Sequence, residues 1–441
     1  MAIKKTIQSG NPLSRQPIRV VELFAGVGGF HLGLQGVSFR GTRWKNNGYE
    51  VVWANQWEPP GSPRKQFAYE CYQKHLGKKL PRNSLINKDI AEVLDEVESG
   101  DRLLPECDML VGGFPCQDYS VARPLPHAKG IQGKKGVLWW EIYRMLELYG
   151  EGRPRYLILE NVDRMLKSPA SQRGRDFAIM LSCLANLGYS VEWRIINAAE
   201  YGFPQRRRRV FVYAELTQQR WNLKERLLKD GVQVNAFPVR TDSYNIQQFE
   251  IESGPYELSN SFGVELKKSP FENAGVMQDF KVATTRVAPH FTGRYETLSD
   301  VLISESDVPE EFFIDEKDLP KWEYHKDGKR IDRISKVTGH TYQYAEGGMK
   351  FPDPIDRPAR TILTSEGGGA SSRAKHAIAT PSGKIRRLVP DELDVLSGFP
   401  KGWTGTGMTD AQRAFCVGNA LVVGVVRRLG REISKRHQAE S

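Results

Sequence analysis

The sequence predicts an α/β protein, an open and mostly parallel sheet wound with helices, joined to a smaller irregular domain. Three observations carry this. Short apolar runs alternate with helical patterns from Ile18 to Tyr213. A glycine-rich turn, Ala25-Gly26-Val27-Gly28-Gly29, follows the first of these runs, at the position where such sheets hold ligands against a helix N-terminus. From about Glu215 to Met349 the alternation stops, and short β-prone pieces mix with charged stretches and aromatics without a repeat.

The elements follow in order. Ile18 to Phe24 is β-prone, and Phe30 to Leu34 opens a helix after the glycines. The spacing is G-x-G-G rather than the dinucleotide G-x-G-x-x-G, so pyrophosphate is not specifically indicated. A second strand, Tyr49 to Asn55, ends in Gln56-Trp57-Glu58, where folds of this kind hold a ribose; Trp57 as a plain cap on the sheet edge is the bland alternative. After a Pro/Gly turn at 59–63, Arg64 to Leu76 reads as helix. The short strand Ser84 to Asn87 leads to Asp89, which is equally a ligand and a helix N-cap. Met109-Leu110-Val111 ends at Gly112-Gly113-Phe114-Pro115-Cys116-Gln117-Asp118-Tyr119-Ser120. A free cysteine is most often a small buried hydrophobe, yet the C-terminal mouth of a strand is where an open sheet keeps its chemistry.

The segment Arg123 to Gly136, rich in Pro, Gly and Lys, is either a lid over Cys116 or a solvated loop. A helix from Val137 to Leu148 precedes a fifth strand, Tyr156 to Leu159, that ends in Glu160-Asn161-Val162. Cys116 and Glu160 therefore end strands on one side of a parallel sheet. Ser190 to Ile196 is strand six, and Arg208 to Tyr213, directly after a run of four arginines, is strand seven. Near the C-terminus, Arg386 to Pro390 leads into a helix from Asp391 ending near Gly398-Phe399-Pro400. A last helix from about Asp410 to Arg436 carries Gly418-Asn419-Ala420 and presents an apolar face to the first strand and turn.

Length and composition bound the rest. At 441 residues the chain has room for one large and one smaller domain, or two to three average ones. No apolar run approaches the roughly 20 residues that span a bilayer. Met1 to Pro17 is polar and basic without the apolar core of a signal peptide, so a loose arm and a cytoplasmic protein are expected. Five cysteines, none in C-x-x-C spacing, argue against a disulfide framework and against a structural zinc, and no metal is expected. The net charge of +10 favours a polyanionic partner mildly, and the cluster Arg206 to Arg209 favours it more.

Taken together these pieces resemble a DNA (cytosine-5) methyltransferase of the bacterial modification type. The matches are Glu22-Leu23-Phe24-Ala25-Gly26-x-Gly28-Gly29, Gly113-Phe114-Pro115-Cys116-Gln117, Glu160-Asn161-Val162, Gln205-x-Arg207-x-Arg209 and Gly418-Asn419. The segment Arg386 to Pro400 also fits the family's R-x-L-x-x-x-E-x-x-x-L-x-G-F-P element. They occur in the family's order over nearly the whole chain.

The resemblance implies a class I S-adenosylmethionine-dependent methyltransferase (Rossmann-like) sheet. It divides the chain into an arm (1–17), a first catalytic part (18–215), a target-recognition domain with its hinge (216–405) and a returning C-terminal part (406–441). It implies S-adenosylmethionine as methyl donor, approached by Phe24, Ala25, Gly26, Gly28 and Gly29, with Asp89 and Ile90 at the adenine. Trp57, Pro115, Asn419 and Ala420 would complete that pocket. The family usually carries Glu at the position of Gln56, where it holds the ribose hydroxyls; Gln56 offers one acceptor oxygen, and Glu58 is a candidate substitute.

The same resemblance implies the chemistry. Cytosine C5 is a poor nucleophile, so the Cys116 thiolate adds to C6. Glu160, held protonated by burial, donates to N3. Arg209 contacts O2, and Arg207 holds the catalytic loop or a phosphate. Gln117, Ser120, Asn161 and Gln205 would meet the substrate. The target base must leave the duplex, at a cost of roughly a few kcal/mol, and basic residues on phosphates offset part of it. The expected partner is duplex DNA, met by a monomer, with a cognate restriction endonuclease acting separately. A tRNA cytosine-5 methyltransferase is the nearest rival, and the roughly 145 residues between Tyr213 and Pro358 favour DNA. A non-catalytic DNA-binding relative would not need Cys116, Glu160 and Arg209 together. An NAD-linked oxidoreductase rests on the glycine turn alone and has the wrong spacing.

Overall fold

A computed structural model describes residues 16–39, 42–43, 45–59, 66–114, 138–241, 243–334 and 339–440. Five strands run in parallel: Ile18–Leu23 (β1), Tyr49–Asn55 (β2), Leu85–Ile86 (β3), Met109–Gly113 (β4) and Tyr156–Asn161 (β5). Tyr189–Asn197 (β6) shares their direction, because Arg208–Leu216 (β7) lies antiparallel to both β5 and β6. The spatial order is therefore β3-β2-β1-β4-β5-β7-β6. The sequence reading of these seven strands holds to within two residues at each end, except that β7 runs three residues past Tyr213.

β1, β4 and β5 are buried almost throughout because helices cover both faces, as a parallel sheet requires. One face meets Gly29–Leu34 (α1), Phe67–Leu76 (α2) and the C-terminal helix. The other meets Ile90–Glu98 (α3), Leu138–Leu148 (α4) and Arg175–Asn186 (α5). The small strands Ser38–Phe39 and Thr42–Arg43 form a separate hairpin.

The region from 216 onward is not one lobe. Its first part continues the sheet: Gln247–Glu250 (β8), Ala274–Gln278 (β9) and Lys281–Thr285 (β10) extend it in the order β6-β9-β10-β8, all antiparallel. Gly275 sits opposite Trp193, and a Cβ at Gly275 would fall 1.9 Å from that indole, so the ring lies flat against β9. Beyond 297 a small second core gathers Leu298, Ile362, Ile378, Leu393, Leu396 and Val417.

The last helix expected from the sequence is two helices, Asp410–Asn419 and Val423–Glu440. Ala420 is extended, with ψ 159, and the Gly418 carbonyl is taken by Arg207 instead of continuing the helix ladder. The second of the pair crosses α1 closely. A Cβ at Gly33 would stand 2.7 Å from Val426, and one at Gly430 would stand 2.6 Å from Leu34.

Candidate active site

Glu160 ends β5 opposite Gly113, and β7 runs back along β5. Antiparallel pairing thus brings the start of β7, with Arg209, to the same edge of the sheet. Arg209 Nε stands 2.8 Å from Glu160 Oε1. The contact is an ion pair rather than an aligned hydrogen bond, since Oε1 has no hydrogen-bond partner among the described residues. Burial pushes the Glu160 carboxyl above the usual carboxylate range, and the positive charges of Arg209 and Arg207 offset only part of that rise. A Cβ at Gly113 would come within 3.2 Å of Glu160 Oε2, so the glycine leaves this carboxyl its room. Asn161 Nδ2 donates to the Phe114 carbonyl (3.0 Å), which fixes the chain as it leaves β4. Pro115, Cys116, Gln117 and Ser120, and the segment expected as a lid, lie outside the described residues.

The four arginines divide by alternation: Arg206 and Arg208 are exposed, Arg207 is buried and Arg209 is half-buried. Arg208 pairs with Asp163 at 3.2 Å. Arg207, expected on a phosphate or the catalytic loop, donates from Nη1 to Ile362 O (3.1 Å) and from Nη2 to Gly418 O (2.8 Å). Its Nε is buried without a hydrogen bond to any described residue, and burial lowers its pKa to about 9. Arg207 therefore ties the second core and the C-terminal part to β7. Gln205, expected at the substrate, is fully buried. Its Nε2 donates to Leu396 O (3.1 Å), and its Oε1 accepts from Ile362 N (3.2 Å). Period-2 alternation turns both side chains inward; the residue types alone did not reveal that.

The glycine turn is strained where it bends. Phe24 has φ 53, Gly26 φ 56 and Gly28 φ 91, the left-handed region that favours glycine. The glycines differ in what surrounds them. A Cβ at Gly26 would meet no atom within 4 Å, whereas at Gly28 it would stand 2.4 Å from Leu76 and at Gly29 3.1 Å from Leu421. Gly26 thus borders open space, while Gly28 and Gly29 let helices approach. Ala25 is buried and donates its amide to Asn55 O.

Around this turn the polar groups are accounted for closely. Gln56 Oε1 accepts the Gly26 amide at 2.7 Å. Glu58 is not a substitute at the ribose: its carboxylate accepts the Phe67 and Ala68 amides and caps α2. Asp89 is the N-cap of α3, accepting from Ala91 N at 3.1 Å, and Ile90 is buried in the core beneath. Trp57 is half-buried, Asn419 is exposed and Ala420 is half-buried.

Three supports were not assigned a role from the sequence, although Glu22 heads the glycine-turn motif. Glu22 accepts the Phe30 and His31 amides, giving α1 the cap that Gly28 has no side chain to supply. Tyr72 donates to Glu22 Oε2 (2.9 Å) and meets His31 Nδ1 (2.8 Å). Burial raises the Glu22 pKa to about 8 and lowers that of His31 to about 3. Trp403 Nε1 donates to Val27 O at 2.8 Å, closing the C-terminal segment onto the turn. In the R-x-L-x-x-x-E stretch, Arg386 and Glu392 form a buried two-pronged pair at 2.9 and 2.8 Å, which explains that spacing.

The edge of the sheet thus offers a buried carboxyl, its pKa raised by burial, with a cation beside it, next to a backbone cradle open at Gly26. The residues fit a small donor molecule approaching the turn. Among the described residues no group of His, Cys, Asp and Glu could hold a metal, and no helix is long and apolar enough to cross a membrane.

Residues 18–435 match the model of the family described as C-5 cytosine-specific DNA methylase. The chain is 43% identical over 428 residues to the Type II methyltransferase M.Sau3AI of Staphylococcus aureus, covering 95% of this chain and 96% of that one. It is 24% identical over 417 residues to the Type II methyltransferase M.HhaI of Haemophilus parahaemolyticus, with 94% of each covered. Among solved structures it is similar in fold to the S. pombe Dnmt2 methyltransferase, with a TM-score of 0.55 at 17% identity, over 96% of this chain and 99% of that one.

Proposed function

The chain belongs to the C-5 cytosine-specific DNA methylase family, and on that premise we propose the residue roles by which it methylates C5 of cytosine in duplex DNA. The observation that carries the assignment is the pair of buried Glu160 with half-buried Arg209 at the edge of the sheet, one strand from Gly113-Phe114. The Cys116 thiolate adds to C6 of a flipped-out cytosine. Glu160, whose burial favours the protonated form, gives its proton to N3 as electron density moves into the ring. Arg209 steadies O2. The new C6–S bond leaves C5 nucleophilic; after methylation C5 loses its proton to a base, and the C6–S bond breaks.

The donor is S-adenosylmethionine, which supplies the methyl group. Its pocket is formed by Phe24 and Gly26, with Trp57 and Asp89 beside them. Gln56 acts there first as the brace of the Gly26 amide. Arg207 and Gln205 are positioning residues that hold the second core against the catalytic edge. Two relatives are named Type II methyltransferases, which supports host-DNA protection in the bacterial cytoplasm beside a separately acting restriction endonuclease. The enzyme works as a monomer.

The test is transfer of labelled methyl from S-adenosylmethionine to duplex DNA and to tRNA side by side, with Cys116→Ala as the paired variant. Label is expected in duplex DNA at C5 of cytosine, and Cys116→Ala removes it while donor binding stays within a few-fold. Label in tRNA alone, or turnover retained by the variant, refutes the assignment.

A further inference from the structure

Strands Lys329–Ile334 and Thr341–Glu346 pair only with each other, antiparallel, as a ribbon outside the main sheet. Asp332 lies opposite Gln343, Arg330 opposite Ala345 and Ile334 opposite Thr341, so these six residues share one face. The other face is anchored. Lys329 Nζ sits 3.8 Å from the centre of the Tyr324 ring, Arg333 sits 3.7 Å over the Tyr344 ring, and Arg373 Nη1 is 3.6 Å from Glu346. Lys329, Tyr344 and Glu346 are half-buried accordingly, while Ile331, Arg333 and Tyr342 on that face remain exposed, as do all six residues of the first face. Arg330, Asp332 and Gln343 make no side-chain hydrogen bond or ion pair with any described residue.

The root of the ribbon is rigid. Lys326, just before it, donates from a buried Nζ to Asp353 (3.1 Å), and its carbonyl accepts Met349 N (2.8 Å) just after it. Asp353 also accepts from Arg360 Nε (2.8 Å) and Ala377 N (2.9 Å). Met349 and Lys350 then line a cavity of about 230 Å³ together with Arg206 and Arg357. Arg206 stands three residues from Arg209. The root of the ribbon and a basic cavity are therefore contiguous, and the cavity reaches Arg206 in the segment that leads into β7.

We infer that the outward face of this ribbon reads the target sequence in the DNA major groove, with Arg330, Asp332 and Gln343 as the specificity-determining residues. This rests on duplex DNA being the substrate. A two-stranded β-ribbon fits the major groove, and each of the three side chains matches a base edge there: Arg to guanine O6 and N7, Gln to adenine N6 and N7, Asp to the cytosine N4 amine. Arg330 and Asp332 are two residues apart, about 6.7 Å along the strand, roughly two base steps of 3.4 Å. Arg206, Lys350 and Arg357 supply the phosphate contacts that fix register without reading sequence.

The experiment compares the unaltered full chain with Arg330→Ala, Arg330→Lys, Gln343→Ala and Asp332→Ala, using bisulfite-type sequencing of DNA methylated by each and methylation rates on the unaltered protein's own site. Each Ala variant is expected to lose about five- to 150-fold in kcat/KM on that site, the range for one lost base contact, and to accept a wider set of bases at one position. Arg330→Lys keeps the charge but loses the fork; it should keep affinity for random-sequence DNA and still relax the same position. An unchanged site spectrum and unchanged kcat/KM in all four variants overturn the ribbon's role while leaving DNA methylation intact. Absence of duplex methylation by the unaltered protein overturns the substrate reading, and the ribbon's role with it.

Discussion

Gln56 Oε1 accepts the Gly26 amide at 2.7 Å, so the side chain expected to meet the ribose is the brace of the glycine turn. A carboxylate in its place would take the same amide with one oxygen and leave the other for a hydroxyl. Gln56→Glu should therefore bind S-adenosylmethionine several-fold more tightly with little change in kcat. Gln56→Ala should weaken binding about fivefold to tenfold, the worth of one buried hydrogen bond. Titration calorimetry checks both, and equal affinities in the three proteins would contradict the brace.

The Glu160 carboxyl is pushed above the usual carboxylate range by burial, an effect that the charges of Arg209 and Arg207 partly offset. Its catalytic contribution should be present at lower pH and fall as pH rises through the raised pKa. Glu160→Gln should lower kcat about 10²- to 10⁴-fold and remove that alkaline limb. The fold itself should be at least as stable in the variant, because the native state no longer has a buried acid to ionise. A pH–rate profile with the alkaline limb unchanged in a still-active Glu160→Gln protein would refute the proton-donor role.

Glu22, with a pKa near 8 in the folded protein against about 4.3 unfolded, makes stability depend on pH in a stated direction. Between these values the native state holds the extra proton, so stability falls as pH rises through the window. Glu22→Gln should flatten that slope in urea unfolding followed from pH 5 to 8.5, and an unchanged slope would assign it to other groups.

The buried Arg386–Glu392 pair holds the start of Pro390–Leu396 and, through Glu392, the Ile303 amide (3.0 Å). Removing one partner strands the other, so Arg386→Met should cost about 3–5 kcal/mol. Arg386→Met with Glu392→Leu should cost distinctly less. Denaturant melts of the single and double variants measure this; a double variant no better than the single would show that the backbone contacts dominate.

Much of the catalytic half was legible in the sequence. Glu160 is legible as the acid that closes a buried run, whereas Arg209 is legible only through its motif; antiparallel β7, which starts beside Arg209, brings the two together. The glycine turn and the seven strands in chain order are legible in the same way, because apolar runs alternating with helical patterns fix a parallel sheet whose C-terminal edge collects the polar ends; the spatial order of the strands is not.

What the sequence determined by itself was the family, through its motifs, and the order in which the chain delivers them. Tertiary structure decided which way they face and what they are already bonded to. Gln205 and Arg207 turn inward onto Leu396, Ile362 and Gly418, Glu58 caps α2 rather than a ribose, and β8, β9 and β10 extend the catalytic sheet instead of joining a separate lobe. Each of these depends on pairing between segments far apart in the chain. Local residue type does not encode such pairing, because it is settled only when buried donors and acceptors must all find partners in one packed interior.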